Sequence, residues 1–237
     1  MRIVSWNCNG ALRKKLHQLV KLDADIHVVQ ECEDPAQSKD EHYKTWAENY
    51  IWVGSNKNKG LGVFASKDIQ LSSLKWDSDV LEYFLPCRIN GAITLLAVWT
   101  RQANSPTFGY IGQMWKYLQK HKLQLPTTKT ILCGDLNSNA RWDVWDRWWN
   151  HSDVVMELEQ SGIKSLYHHQ NDELQGKESQ PTFYMYRKLG RPYHIDYAFL
   201  SSDLLTSSAV SIGKPDEWLE FSDHMPVVFT IDQFERN

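Results

Sequence analysis

Short apolar runs in this chain repeatedly meet carboxylates, amides or imidazoles at their ends. Ile3-Val4-Ser5-Trp6 leads into Asn7, Ile26-His27-Val28-Val29-Gln30 into Glu31, and Ile131-Leu132-Cys133-Gly134 into Asp135 and Asn137. Twice the order reverses: His194-Ile195-Asp196 opens the run Tyr197-Ala198-Phe199-Leu200, and Ser222-Asp223-His224-Met225-Pro226 opens Val227-Val228-Phe229-Thr230-Ile231. Runs of this length, rich in β-branched and aromatic residues, read as buried strands. Charge at strand ends is costly inside a core but suits a site that holds a metal ion and a phosphate.

The pattern predicts strands over 2–8, 25–31, 50–54, 61–66, 69–76, 82–89, 91–99, 129–135, 163–168, 180–186, 193–200, 207–212 and 225–231. Helices are expected over 10–22, with Leu12, Leu16, Leu19 and Val20 on one face, over 107–121, and over 152–161, where Gly162 stops the last. Hairpins mixed with crossovers suit two sheets packed together with helices outside, an α/β class. No repeat, low-complexity tract or long linker divides the 237 residues, so one domain over 1–237 is expected.

Composition narrows the function. A net charge of −3 gives no global basic field, which argues against a protein that coats nucleic acid by electrostatics alone. It does not exclude an enzyme that grips one or two phosphates through a cation held by carboxylates. No apolar stretch reaches the length of a membrane span, and residues 1–7 read as a strand rather than a signal peptide, so a cytoplasmic protein without membrane contact is expected. Cys8, Cys32, Cys87 and Cys133 lie in or beside strands, without any Cys-x-x-Cys pair. Alternation along the strands is expected to turn the thiols beside Asn7, Glu31 and Asp135 away from them, so reduced, packed cysteines are expected rather than a zinc site. His168-His169 is read as a strand end and His194 as a strand flank. Trp142, Trp145 and Trp149, spaced by three and four, would stripe one face of a helix and pack. The alternative is a rim loop whose indoles and arginines stack on bases or sugars.

Taken in order, Trp6-Asn7-Cys8-Asn9-Gly10, Gln30-Glu31, Gly134-Asp135-Leu136-Asn137, His194-Ile195-Asp196-Tyr197 and Ser222-Asp223-His224 resemble the signature of the endonuclease/exonuclease/phosphatase superfamily, in its exonuclease III-like branch. The resemblance implies a DNase I-like, four-layer α/β sandwich of two mixed sheets flanked by helices. It also implies phosphoester hydrolysis with Mg2+ or Mn2+. It assigns the cation to Glu31, Asn7 and Asp223, and the attacking water to Asp135. Asn137 would help to position that water or hydrogen-bond a phosphoryl oxygen, and Asp196 would pair with His224. Two positions depart from the pattern. Asn9 stands where repair endonucleases carry Asp, and Trp99 where relatives carry Tyr or His near the leaving group; an indole can only donate through its ring nitrogen. Asn9, Trp99, Arg101 and Arg187 are assigned to substrate binding, with Lys188 and Arg191 adding local positive charge beside Asp196. Tyr186 would stack or pack.

The resulting expectation is a nuclease or phosphodiesterase acting on DNA, as a monomer. The competing expectation is a hydrolase of a small phosphoester such as an inositol phosphate, sugar phosphate or lipid headgroup. A non-catalytic binding protein of the same fold should have lost some of these residues. Substrate choice and cutting mode would reside in the loops at 34–48, 100–112, 138–151 and 170–180.

Overall fold

The structure, a computed structural model, describes residues 1–103 and 105–232; Asn104, in the 100–112 loop, and 233–237 lie outside the described residues. In chain order the elements are β1 (Arg2–Asn7), α1 (Leu12–Leu19), β2 (Ile26–Cys32), α2 (Glu41–Trp46), β3 (Tyr50–Asn56), β4 (Lys59–Ala65), β5 (Leu71–Ser73), β6 (Phe84–Ile89), β7 (Ile93–Trp99) and α3 (Ile111–His121). They continue with β8 (Thr130–Asp135), α4 (His151–Gln160), β9 (Ile163–Ser165), α5 (Leu166–Asn171), β10 (Phe183–Tyr184), β11 (Pro192–Tyr193), β12 (Asp196–Ser201), α6 (Ser202–Leu205), β13 (Ser208–Ile212), α7 (Pro215–Trp218) and β14 (Val227–Ile231).

Two six-stranded mixed sheets, ordered β13-β14-β1-β2-β4-β3 and β5-β6-β7-β8-β12-β9, face each other. Alternation divides each strand between two cores. Ile3, Val28, Leu95, Ile131, Leu200 and Phe229 fill the space between the sheets. Val4, Trp6, Val29 and Val228 pack outward against Leu12, Leu16 and Trp218, while Leu96, Leu132 and Phe199 pack outward against Met114, Tyr117 and Leu158. The order of layers is therefore helix, sheet, sheet, helix, the four-layer sandwich that the motifs imply. Among the described residues no helix is long and apolar enough to cross a membrane.

Several expected elements are shorter or different. The 163–168 strand ends at Ser165, and α5 begins at Leu166 with His168 and His169 inside it. Of the 180–186 strand only Phe183 and Tyr184 pair, because Tyr186 and Arg187 adopt φ near +58° and +57° and break the extended chain. The 34–48 loop contains α2, capped by the Asp40 carboxylate, which accepts from Tyr43 N. The tryptophan segment is not an amphipathic helix. A single 3₁₀ turn at Ala140–Trp142 is followed by turns up to α4, whose first turn is closed by a reciprocal Asn150–Asp153 capping box.

All four cysteines are free and buried, and burial pushes their thiols upward; Cys87 reaches about 12. Cys8 and Cys32 face the helix side as expected, but Cys133 lies two residues from Asp135 and so shares its inward face. It packs in the core beneath that carboxylate.

Register decides where chemistry collects. β1 runs parallel to β2, β7 parallel to β8, and β12 antiparallel to β8 with Asp196 opposite Asp135 and Trp99 opposite Asp135 on the other side. β14 runs antiparallel to β1. The C-terminal ends of β1, β2, β7 and β8 therefore share one edge of the sandwich with the N-terminal ends of β12 and β14.

Candidate active site at the shared sheet edge

Glu31 reaches this edge through a backbone irregularity. Gln30 faces inward and donates to Ser5 Oγ at 3.2 Å, whereas Cys32 faces outward. Between them the β2–β4 register slips and Glu31 takes φ +63°, a bulge that re-aims its carboxylate. Asn7 Nδ2 donates to Asp135 Oδ2 at 2.9 Å and to Glu31 Oε1 at 3.4 Å, so one amide ties together carboxylates carried by the two sheets.

Asp135 is fully buried at the end of β8. Asn137, at φ +44°, folds back so that its backbone N–H and Nδ2 both donate to Asp135, at 2.8 and 2.9 Å, while Nδ2 also reaches Thr100 O at 3.0 Å. Burial and the nearby Asp196 charge push Asp135 up to about 7, against the opposing pull of His224 and of its amide donors. Asp196 is held by its backbone, since Ile195 N and Asp196 N both donate to the buried Thr182 Oγ1 at 2.9 and 3.0 Å.

His224 faces both aspartates. Its Nδ1 lies 2.9 and 3.1 Å from the two Asp196 oxygens. Trp6 Nε1 donates to His224 O at 2.9 Å, and Ser222 Oγ accepts from His224 N while donating to Asn7 O. Burial alone would push the imidazole down, but the negative charges of Asp196 and Asp135 and the bond to Asp196 outweigh it, raising His224 to about 10. The site thus favours the imidazolium form near neutral pH, held through Nδ1 by Asp196.

The rim residues have separate settings. Asn9 Nδ2 donates to Asp223 Oδ1 at 2.9 Å, which turns that half-buried carboxylate toward Asn9. Arg187 is exposed and donates to Glu220 O and Phe221 O at 3.0 and 3.4 Å, bracing the loop that leads to His224. Trp99 is buried, its ring 4.7 Å from Tyr83, and the Arg101 guanidinium lies 5.0 Å from the Trp99 ring and 5.3 Å from the Tyr83 ring. Together Glu31, Trp99, Arg101, Asn137 and Lys59 border a cleft of about 490 Å³.

Lys59 was invisible in the sequence. It opens β4 after an Asn56-Lys57-Asn58 turn, where a lysine reads only as a solvated hairpin charge, yet its Nζ lies 2.6 Å from Glu31 Oε2. Tyr83 and Thr182 also gave no sequence signal, as each acts through a partner distant in the chain. His168 and His194 are structural, His168 bonding Ser165 and Glu178 and His194 bonding Gln180 O.

The donor set fits a hard divalent cation. Asp135, Asp196 and His224 place ligand atoms within 4.8 Å of one another; Glu31 and Asp223 stand outside that group, and Glu31 is joined to it through Asn7. Glu31, Asp223 and the Asn7 amide add oxygen donors of the kind a hard divalent cation takes. The Lys59 ammonium already supplies positive charge to the Glu31 carboxylate, so it would compete with a cation placed there. Lys59→Met should tighten Mn2+ binding about 2–5-fold, the scale of a partly exposed ion pair, in a paramagnetic resonance titration. Weaker binding in the variant would show that Lys59 does not compete.

Residues 4–224 match the family model described as the Endonuclease/Exonuclease/phosphatase family. No curated protein matches the sequence. Similar solved structures include a 3'-5' exonuclease (NExo) from Neisseria meningitidis, with TM-score 0.70 and 18% identity over 98% of this chain and 100% of that one. An AP endonuclease from Archaeoglobus fulgidus gives TM-score 0.70 and 20% identity over 98% and 99% of the two chains. The 3' phosphatase NExo from Neisseria bound to a product DNA hairpin gives 0.69 and 17% over 98% and 99%. At these identities the likeness concerns the fold.

Proposed function

The chain belongs to the endonuclease/exonuclease/phosphatase family, and from that premise we propose that it is a Mg2+- or Mn2+-dependent phosphodiesterase acting on DNA, built as a single domain. The observation that carries the reading is the buried Asp135–Asp196–His224 group, tied through Asn7 to Glu31 at the common edge of the two sheets.

Glu31 and Asn7 would hold the cation, with Asp223 the third candidate. When bound, the ion neutralises charge on the phosphate and the leaving oxygen. The remaining roles fall to the chain itself. Asp135, raised to about 7, is matched to accepting a proton from the attacking water near neutrality. Asn137 spends its amide on Asp135 and Thr100, which fixes the carboxylate for that task. His224, kept cationic by Asp196, stabilises charge that builds in the in-line transition state and can protonate the departing oxygen. Arg101, above Trp99 and Tyr83, offers a cation to a neighbouring phosphate.

DNA is favoured over a small phosphoester by the product DNA hairpin bound to one structural neighbour and by the name of another as an AP endonuclease. The cleft beside this group, where Arg101 stands near Glu31, Lys59 and Glu82, has room for a phosphate and its neighbour. The test incubates purified protein, with Mg2+ or Mn2+ and with EDTA, against single-stranded, double-stranded and abasic-site DNA and against inositol phosphates. Metal-dependent cleavage of DNA, abolished by EDTA and restored by added metal, is expected. Turnover confined to the small phosphoesters would overturn the reading.

A further inference from the structure

Hydrolysis leaves the tryptophan segment between β8 and α4 without a role. Trp145 is 95% exposed, Trp148 63% and Trp142 42%. Solvation of large indoles is ordinarily avoided, and here it does not come from a slack backbone. The Asn150 side chain accepts from Val144 N and Arg147 Nε, both at 2.9 Å, and donates to Val144 O and Arg147 O at 3.1 and 2.6 Å. The Asp143 carboxylate accepts from His151 N and Ser152 N, fastening the segment to α4. Trp149 anchors it from below, 4.5 Å from Phe108.

Through Trp142 the segment is joined to the candidate site, with Trp145 exposed three residues further on. Trp142 lies 5.2 Å from Tyr193, Tyr193 6.2 Å from Phe183, and Phe183 4.6 Å from His224. Cations flank this path in a chain whose net charge is −3: the Arg141 guanidinium lies 5.9 Å from the Tyr193 ring, and Arg187, Lys188 and Arg191 are exposed on the β10–β11 side. The Asp143 carboxylate is taken up by backbone N–H groups, and the exposed Asp146 beside Trp145 offsets only part of the flanking charge, so flat faces bordered by cations complement a strand whose bases are exposed and whose phosphates are regularly spaced. A duplex hides its base faces and would meet the indoles with sugar and phosphate only.

We propose that Trp142 and Trp145, with Arg141, form a stacking ledge for unpaired nucleotides, so that the substrate is a single-stranded or frayed segment leading away from His224. This rests on the hydrolytic reading of the site.

The experiment measures binding of a labelled oligothymidylate about twelve nucleotides long, of its duplex with oligoadenylate, and of thymidylyl-thymidine, to the full chain in EDTA. The wild type should prefer the single strand to the duplex. Trp145→Ala and Trp142→Ala should each weaken single-strand binding about 10-fold, Trp145→Phe should restore most of it, and the dinucleotide, too short to span site and ledge, should lose far less. Melting temperatures confirm that the variants are folded. If the alanine variants bind the single strand within twofold of wild type, or the wild type prefers the duplex, the ledge does not stack bases. A concentration-dependent dimer in sedimentation that Trp145→Ala abolishes would assign the indoles to a second copy and overturn the proposal. Absence of metal-dependent cleavage of any nucleic acid by the wild type would instead remove the hydrolytic reading beneath it.

Discussion

Asp196→Asn is expected to lower turnover about 10²–10³-fold, and His224→Ala about 10³–10⁴-fold, with both proteins folded. Asparagine can still accept the His224 Nδ1–H, so geometry survives while the charge that holds the imidazolium is lost. The sign follows from the site. His224 is raised to about 10 by Asp196 and Asp135 against the opposing effect of burial, so its cation persists across neutral pH in the wild type. Without the Asp196 charge, burial regains weight and the proton leaves at lower pH. Imidazole nitrogen resonances in metal-free protein should stay protonated at pH 8 in the wild type and be neutral there in Asp196→Asn. A His224 that titrates identically in both would remove the charge-holding role, whatever the loss of rate. In the wild type kcat/KM should rise as Asp135 loses its proton, at about 7 or lower once a cation favours the carboxylate, and fall as His224 loses its own near 10. An optimum well below pH 6 would contradict this assignment of base and acid.

Gly134→Ala should cost at least about 3 kcal/mol and lower the melting temperature by roughly 10 °C, or prevent folding. Gly134 sits at φ +147°, and an added Cβ would fall 1.8 Å from Val98 O on the parallel neighbour. No side-chain rotation relieves a clash with backbone, so β7 and β8 would have to part just where Thr100 N donates to Asp135 O at 2.9 Å. A melting point within about 2 °C of wild type would show that the sheet edge yields freely.

Gly134 also shows what a sequence can carry. It stands out only because it interrupts an apolar run immediately before an aspartate, and its reason, close approach of β7, is a property of pairing. Asn7, Glu31, Asp135, Asn137, Asp196 and His224 were legible as candidates because each lies at or within three residues of a strand end, and strand ends are visible as breaks in apolar periodicity. Their meeting was not, since it depends on register and on the Glu31 bulge. The tryptophan segment misled because a spacing of three and four fits a helix, while Asn150 and Asp143 supply caps and turn contacts that hold the chain otherwise. Likewise Phe183 and Tyr184 read as part of a longer strand, and nothing local announces the positive φ of Tyr186 and Arg187.

The pairing of β1 with β14 has a bearing on how the site assembles. β1 pairs on one side with β2, close in sequence, but on the other with β14, where residues 2–5 lie opposite 227–230, so that second side stays open until the distant strand arrives. Such contacts are the most distant a chain can make and form late in folding. Trp6 and Asn7 gain their bonds to His224 O and Ser222 Oγ only when that pairing brings the two segments together. A fragment ending before Ser222 would leave Asp135 and Asp196 without the His224 imidazole that faces them, so the buried group forms only when the two distant strands have paired.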